Sequence, residues 1–178
     1  MEKNGHPMVF VLGDSRTGTT SLHHFFKSAG YQSIHYYFDE SGVKKPAHLD
    51  IDGNWQRLKR FIVDSPYNAF SDYPTRIFYR QLFREFPTAR FILSRRDSLE
   101  TWKQSMVRYF RREQVDIDIE ALSAHYINLN REIRATAAID GRSLLEICID
   151  EDDDENSRHL RAFLNIDGDV TIRRLNAS

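Results

Sequence analysis

Val9-Phe10-Val11-Leu12-Gly13-Asp14-Ser15-Arg16-Thr17-Gly18-Thr19-Thr20-Ser21-Leu22 decides how the rest of the chain is read. An apolar run ends at a glycine, crosses a short polar turn and enters a segment with helical spacing at Leu22, Phe25 and Phe26. That is a strand–loop–helix unit, in which backbone N–H groups and a helix N-terminus converge on an anion. Gly13 permits the sharp exit from the strand, and Gly18 lets the backbone approach a phosphate where a side chain would clash. Ser15, Thr17, Thr19, Thr20 and Ser21 add hydroxyl donors, and Arg16 adds a permanent forked cation. The stretch reads as a phosphate-binding loop, although Thr19-Thr20 stand where a nucleotidase loop has Lys followed by Ser or Thr. The plain alternative is a glycine turn with a threonine cap. An arginine and five hydroxyls crowding the start of an apolar helix weigh against it.

The chain has 178 residues, enough for one domain over 1–178 with a sizeable core. Its 12 Phe, 8 Tyr and 2 Trp supply packing and surfaces for flat ligands. A net charge of −1 gives no global field toward nucleic acid or an anionic membrane, so any anion site must be local. The single cysteine, Cys148, lies in an apolar run and reads as a buried core thiol. It excludes an internal disulfide and a cysteine zinc cluster, and suits a reducing compartment. The first seven residues lack the apolar core of a signal peptide, and no segment is long enough to span a bilayer. The expected location is cytoplasmic.

Beyond the loop, helical spacing covers 22–29 with Gly30 as the cap, and the aromatic-rich stretch 31–38 reads as a second strand. A loop over 39–46 leads to a helix over 51–63, and a short strand over 67–71 precedes Asp72-Tyr73-Pro74. Ile77, Phe78, Leu82, Phe83 and Phe86 mark an amphipathic helix that Pro87 stops. A buried strand over 89–94, helices over 99–112 and 119–138, a last strand over 144–149 and a final helix around Leu160, Phe163 and Leu164 complete the chain. The acidic run 150–155 reads as a solvated helix start rather than a metal site. The alternation predicts an α/β, P-loop-type three-layer fold, a central parallel sheet of four to five strands flanked by helices. Ligands of such sheets bind beyond the carboxyl ends of the strands. That rule collects 13–20, 35–39, Asp72 and 94–97 at one rim.

Ser94-Arg95-Arg96-Asp97 ends a buried strand and opens a helix carrying Trp102, Ser105, Arg108, Arg111 and Arg112. Arginine at the rim plus a nearby hydroxyl could hold a second phosphate, while Arg108 to Arg112 read as a solvated face. Here the sequence resembles the sulfotransferases that use 3′-phosphoadenosine 5′-phosphosulfate (PAPS). Arg16-Thr17-Gly18-Thr19-Thr20-Ser21-Leu22 is similar to their 5′-phosphosulfate loop, in the subgroup whose loop reads RTGTTSL. Arg95-Arg96-Asp97, Trp102 and Ser105 are similar to their 3′-phosphate motif, and Phe70-Ser71-Asp72-Tyr73-Pro74 and Arg174-Leu175-Asn176 fit the same subgroup.

The resemblance implies sulfuryl transfer from PAPS to a hydroxyl or amine on a small-molecule or glycan acceptor, with PAP as product and no metal required. It implies that Arg16 stands beside the bridging oxygen, that Ser15 to Ser21 hold the 5′-phosphate, and that Arg96 and Ser105 hold the 3′-phosphate. The Arg96–Ser105 spacing is one residue longer than the commonest one, which keeps Arg95 as an alternative. Sulfuryl transfer needs donors at the leaving oxygen and a base on the acceptor. Asp72 is the first candidate base and His35 the second. Against these stand a helix cap for Asp72 and simple packing for His35. His23 and His24 read as structural. Two rival functions stay open: a small P-loop kinase or nucleotidase with Asp72 on Mg²⁺, and a non-catalytic PAP- or nucleotide-binding module.

Overall fold

The computed structural model describes residues 2–35 and 51–174. The central sheet has five parallel strands: β1 (Val9–Val11), β2 (Ser33–His35), β3 (Ala69–Ser71), β4 (Arg90–Arg95) and β5 (Leu144–Cys148). Their order is β2-β3-β1-β4-β5, with β1 at the centre. The helices are α1 (Thr19–Ser28), α2 (Ile51–Asp64), α3 (Tyr79–Glu85), α4 (Leu99–Arg112), α5 (Ile119–Ile139) and α6 (Asp153–Leu164). A two-stranded antiparallel pair, Glu2–Lys3 with His6–Pro7, precedes β1 and was not legible in the sequence. The architecture is the expected α/β, P-loop-type sandwich.

Period-two alternation builds both layers around the strands. Phe10, Leu12, Phe70, Phe91 and Leu93 face one side and pack with Trp55, Leu58 and Ile62 of α2, Leu82 and Phe83 of α3, and Ile133 and Ala137 of α5. Val9, Val11, Ala69, Ile92 and Ile147 face the other, against Leu22, Phe25 and Phe26 of α1 and Leu160 and Leu164 of α6. Strands buried on both faces read as continuous apolar runs, which is why β1 and β4 were plain in the sequence. Cys148 is buried and free, as expected of a core thiol.

Three boundaries differ from expectation. Helix α1 starts at Thr19 rather than Leu22, because Gly18 takes the left-handed conformation (φ 82°) and lets the helix begin directly after the loop. The second strand begins at Ser33 rather than Tyr31 and is described as far as His35; Tyr36, Tyr37, Phe38 and the 39–46 loop lie outside the described residues, as do Leu175 and Asn176. The segment after Asp72 opens with a 3-10 turn, Thr75–Phe78, before α3. Its tighter winding turns Ile77 to solvent, 46% exposed, and Arg76 inward, the reverse of the assignment that an α-helical period gives.

Topology places the site. The connection leaving β1 runs toward β2, on one side of β1, whereas the one leaving β4 runs toward β5, on the other. Their divergence opens a crevice beyond the carboxyl ends of β1 and β4. The parallel register pairs His35 with Ser71 and so sets His35 beside Asp72.

Candidate functional site

The loop after β1 is held from within. A Cβ at Gly13 would collide with Ser94 Oγ, Thr17 Oγ1 and the Ser94 carbonyl, so only glycine fits there. Thr17 is fully buried; its hydroxyl donates to the Asp14 carbonyl at 2.5 Å and meets Ser94 Oγ at 2.9 Å. Thr17 is therefore the one expected loop ligand whose side chain is not in the cavity. Trp102 Nε1 donates to the Ser15 carbonyl at 3.2 Å. A Cβ at Gly18 would strike Ile149. Helix α1 carries no side-chain cap and no acidic residue in its first turn. Its positive end opens on the cavity, the arrangement that favours an anion.

That cavity measures about 950 Å³, and Ser15, Arg16, Gly18, Thr19, Thr20 and Ser21 form its floor. At one end the cations gather. Arg16 extends to α4, where its Nε donates to Ser105 Oγ at 3.2 Å and its guanidinium lies 5.6 Å from the Tyr109 ring centre. Burial lowers the Arg16 pKa first, and the charges of Arg112, Arg96 and Arg108 lower it further. Arg108 lines the cavity with Tyr109 and Phe110, so it is no merely solvated residue as the sequence suggested. Ser105, Arg108 and Arg112 sit at i, i+3 and i+7 on one helix face; Ser105 and Arg108 line the cavity, and Arg112 stays exposed while its charge reaches Arg16.

Arg96 and Arg95 part company here. Arg96 lines the cavity and gives Nε and Nη2 to the two oxygens of Asp150 at 2.9 and 2.8 Å, and Nη1 to the Arg16 carbonyl at 3.3 Å. Arg95 instead lies 3.5 Å from Glu146 and 3.9 Å from Glu151. Asp150 also accepts the Asp97 N–H at 2.9 Å. The acidic run thus divides. Asp152 caps α6, as a helix start should, whereas Asp150 and Asp153 both line the cavity, Asp153 paired with Arg174 at 2.8 Å. Leu22, Ile149 and Ile172 supply an apolar stretch of wall nearby.

At the other end His35 and Asp72, read separately in the sequence, form one unit. His35 Nε2 is 3.1 Å from Asp72 Oδ2, 3.2 Å from Thr19 Oγ1 and 3.5 Å from Thr20 Oγ1. Asp72 Oδ2 also accepts from Thr19 Oγ1 at 3.0 Å, and Oδ1 accepts the Tyr73 N–H at 2.7 Å. Its side chain does not cap the following turn; the Thr75 N–H bonds to the Asp72 backbone carbonyl instead. Burial raises the Asp72 pKa, but the His35 contact, the Tyr73 N–H and the Thr19 hydroxyl outweigh it and hold the carboxyl below its ordinary value. Arg16 (φ 66°) and Asp72 (φ 68°) both hold left-handed backbone, costing about 1 kcal/mol or more each where the surroundings fix it. His23 stands behind this end, bonded to Ser33 Oγ at 2.9 Å.

Among the described residues no group of three His, Cys, Asp or Glu is placed to hold a metal, and no helix is long and apolar enough to cross a membrane. Comparison with curated proteins yields no match. A family model described as the sulfotransferase domain matches residues 8–165, most of the chain. The matched span takes in the loop, the His35–Asp72 pair and the α4 cluster, and the chain belongs to the sulfotransferase family.

Proposed function

We propose that this sulfotransferase takes its sulfuryl group from PAPS and passes it to a hydroxyl or amine on a small-molecule or glycan acceptor, with 1–178 acting as a single domain. The observation that carries the reading is the gathering of Arg16, Arg96 and Arg108, with the charge of Arg112 felt by Arg16, at one end of a cavity whose other end holds His35 and Asp72. Like charges brought together cost free energy, and an anion of high charge offsets that cost. A glycine-lined helix N-terminus beside them suits a phosphate.

Bound there, PAPS would supply the sulfuryl group and a phosphate leaving group. Gly18, Thr19 and Thr20, with Ser15 and Ser21, face the 5′-phosphosulfate through backbone N–H groups and hydroxyls. Arg16, bonded to Ser105, would serve both phosphates of the donor and stabilise the leaving oxygen. Ser105 and Arg96 receive the 3′-phosphate, and Arg108 strengthens the field there. Leu22, Ile149 and Ile172 give the base an apolar wall.

The acceptor's proton goes to the His35–Asp72 pair. A carboxyl held below its usual value is a weak base, so Asp72 serves best by fixing His35, whose imidazole takes the proton. Negative charge grows on the leaving oxygen as the S–O bond breaks, and Arg16 with the α1 N-terminus stabilises it without reorganisation.

Calorimetric titration in EDTA with adenosine 3′,5′-bisphosphate and with ATP tests the donor. Wild type binds the bisphosphate without metal, and Arg16→Ala and Arg96→Ala each weaken it, Arg16→Ala by about 100-fold, the scale of losing a charge-assisted phosphate contact. Preference for ATP, or binding that needs Mg²⁺, overturns the reading in favour of a kinase.

A further inference from the structure

Arg76 is a buried charge that the reaction outlined above does not use. It lies in the 3-10 turn, four residues after Asp72, and is 6% exposed. Its Nη1 forms an ion pair with Asp14 Oδ2, and beyond that pair its nitrogens have no hydrogen-bond partner among the described residues. Burial pushes its guanidinium down to about 10. An apolar side chain of similar volume would fill the space at lower cost, so the charge is kept for something other than stability.

What Arg76 holds is the first residue of the loop. Asp14 Oδ1 accepts the Ser15 N–H at 2.7 Å, while its Oδ2 faces Arg76. Ser15 is held a second time through its carbonyl by Trp102, whose ring stacks on Tyr126 at 4.4 Å. Neither Asp14 nor Arg76 lines the cavity. Both work from behind it. The same 3-10 turn begins where the Thr75 N–H bonds to the Asp72 carbonyl, so one short segment carries both the carboxylate of the proton-accepting pair and the cation under the loop.

We propose that Arg76 is a positioning residue: by anchoring Asp14 it holds 14–18 in the anion-receiving shape and ties that loop to the Asp72 segment. The proposal rests on the reading of this loop as a phosphate cradle. Its action goes through Asp14 and touches no reacting atom. Removing the cation frees Asp14, and the Ser15 N–H loses a fixed acceptor.

Two measurements on the full chain test it. Amide exchange on the unliganded protein should quicken about tenfold across 14–18 in Arg76→Met and in Asp14→Asn, with the slow amides of β4 unchanged and Arg76→Lys largely restored. Bisphosphate affinity should fall about tenfold in each single variant, and the double variant should be no worse than Arg76→Met, because the pair acts as a unit. Arg76→Met with wild-type exchange in the loop overturns the proposal, as does faster exchange spread evenly through the protein, which would mark Arg76 as a structural filler. Additive losses in the double variant overturn it too. Should wild type fail to bind the bisphosphate, the donor reading falls, and the exchange measurement alone decides the role of Arg76.

Discussion

The two ends of the cavity solve opposite electrostatic problems. At the α4 end Arg16 feels Arg96, Arg108 and Arg112, and the two carboxylates of the acidic run that line the cavity are spent, Asp150 on Arg96 and Asp153 on Arg174. At the β2–β3 end His35 and Asp72 face each other at 3.1 Å, with two threonine hydroxyls completing the group. The first end is left with surplus charge, which is what a binding site for a multiply charged anion requires. At the second the carboxylate is tied by hydrogen bonds to an imidazole and a hydroxyl, the arrangement that the proposed proton transfer from the acceptor calls for. The loop joins them: Arg16 serves the first end, and Thr19 and Thr20, three and four residues on, serve the second.

The largest effect that would separate the two ends is loss of transfer without loss of donor binding. His35→Gln and Asp72→Asn should each lower the rate of sulfuryl transfer by about 10²- to 10⁴-fold, the range for removing a general base or its partner. Bisphosphate affinity should stay within about threefold of wild type, because neither side chain belongs to the cationic end. Single-turnover kinetics beside calorimetry measures both. If affinity drops in step with rate, the two ends are not separable, and His35–Asp72 supports the loop rather than the acceptor.

A smaller effect tests the cationic end by adding to its surplus. Asp150→Asn keeps a hydrogen-bonding side chain beside Arg96 but removes the negative charge that faces the proposed phosphate. The bisphosphate should bind about fivefold more tightly at low ionic strength, and the gain should shrink at high salt. Weaker binding in this variant would show instead that the bidentate grip on Arg96 matters more than the charge, and that Asp150 belongs to the binding end as a support.

Both ends were half legible in the sequence, for different reasons. Local chemistry was visible: glycines, hydroxyls and an arginine between a strand and a helix announce the loop, and Arg96 and Ser105 stand out at a strand end and on the next helix. What joins residues across the sheet was not. His35 and Asp72 are 37 positions apart, and only the parallel register His35↔Ser71 makes them a pair. Asp150 lies in a run that looks like a charged helix start, and Asp152 does cap α6; its neighbour's different task depends on β5 lying beside β4. Arg108 and Arg112 could have been found from the i, i+3, i+7 spacing with Ser105, had that helix face been known to look at the loop. Arg76 needed the 3-10 turn, because an α-helical period puts Ile77 inside and leaves Arg76 in water.

The smallest effect concerns the histidine behind the His35–Asp72 end. Burial, then the charges of His35, His24 and Lys27, push His23 from 6.5 down to about 4. The folded protein therefore keeps His23 neutral between those values, whereas the unfolded chain takes up a proton there. Stability must fall as pH drops from 6.5 toward 4 and level off below, where both states are protonated. His23 is only partly buried, so solvent screening reduces its contribution to about 1 kcal/mol. Asp72 does not confuse the window: its lowered pKa gives stability that is lost only below its ordinary value of 3.8. Thermal melts of wild type and His23→Gln at pH 7 and 4.5 should show the variant losing about 2–4 °C less over that interval. Gln can still reach Ser33, so the difference reads the charge rather than the lost hydrogen bond. Equal losses would place His23 in water in the folded state, and the imidazole cluster around His35 would then be open to solvent on its α1 side.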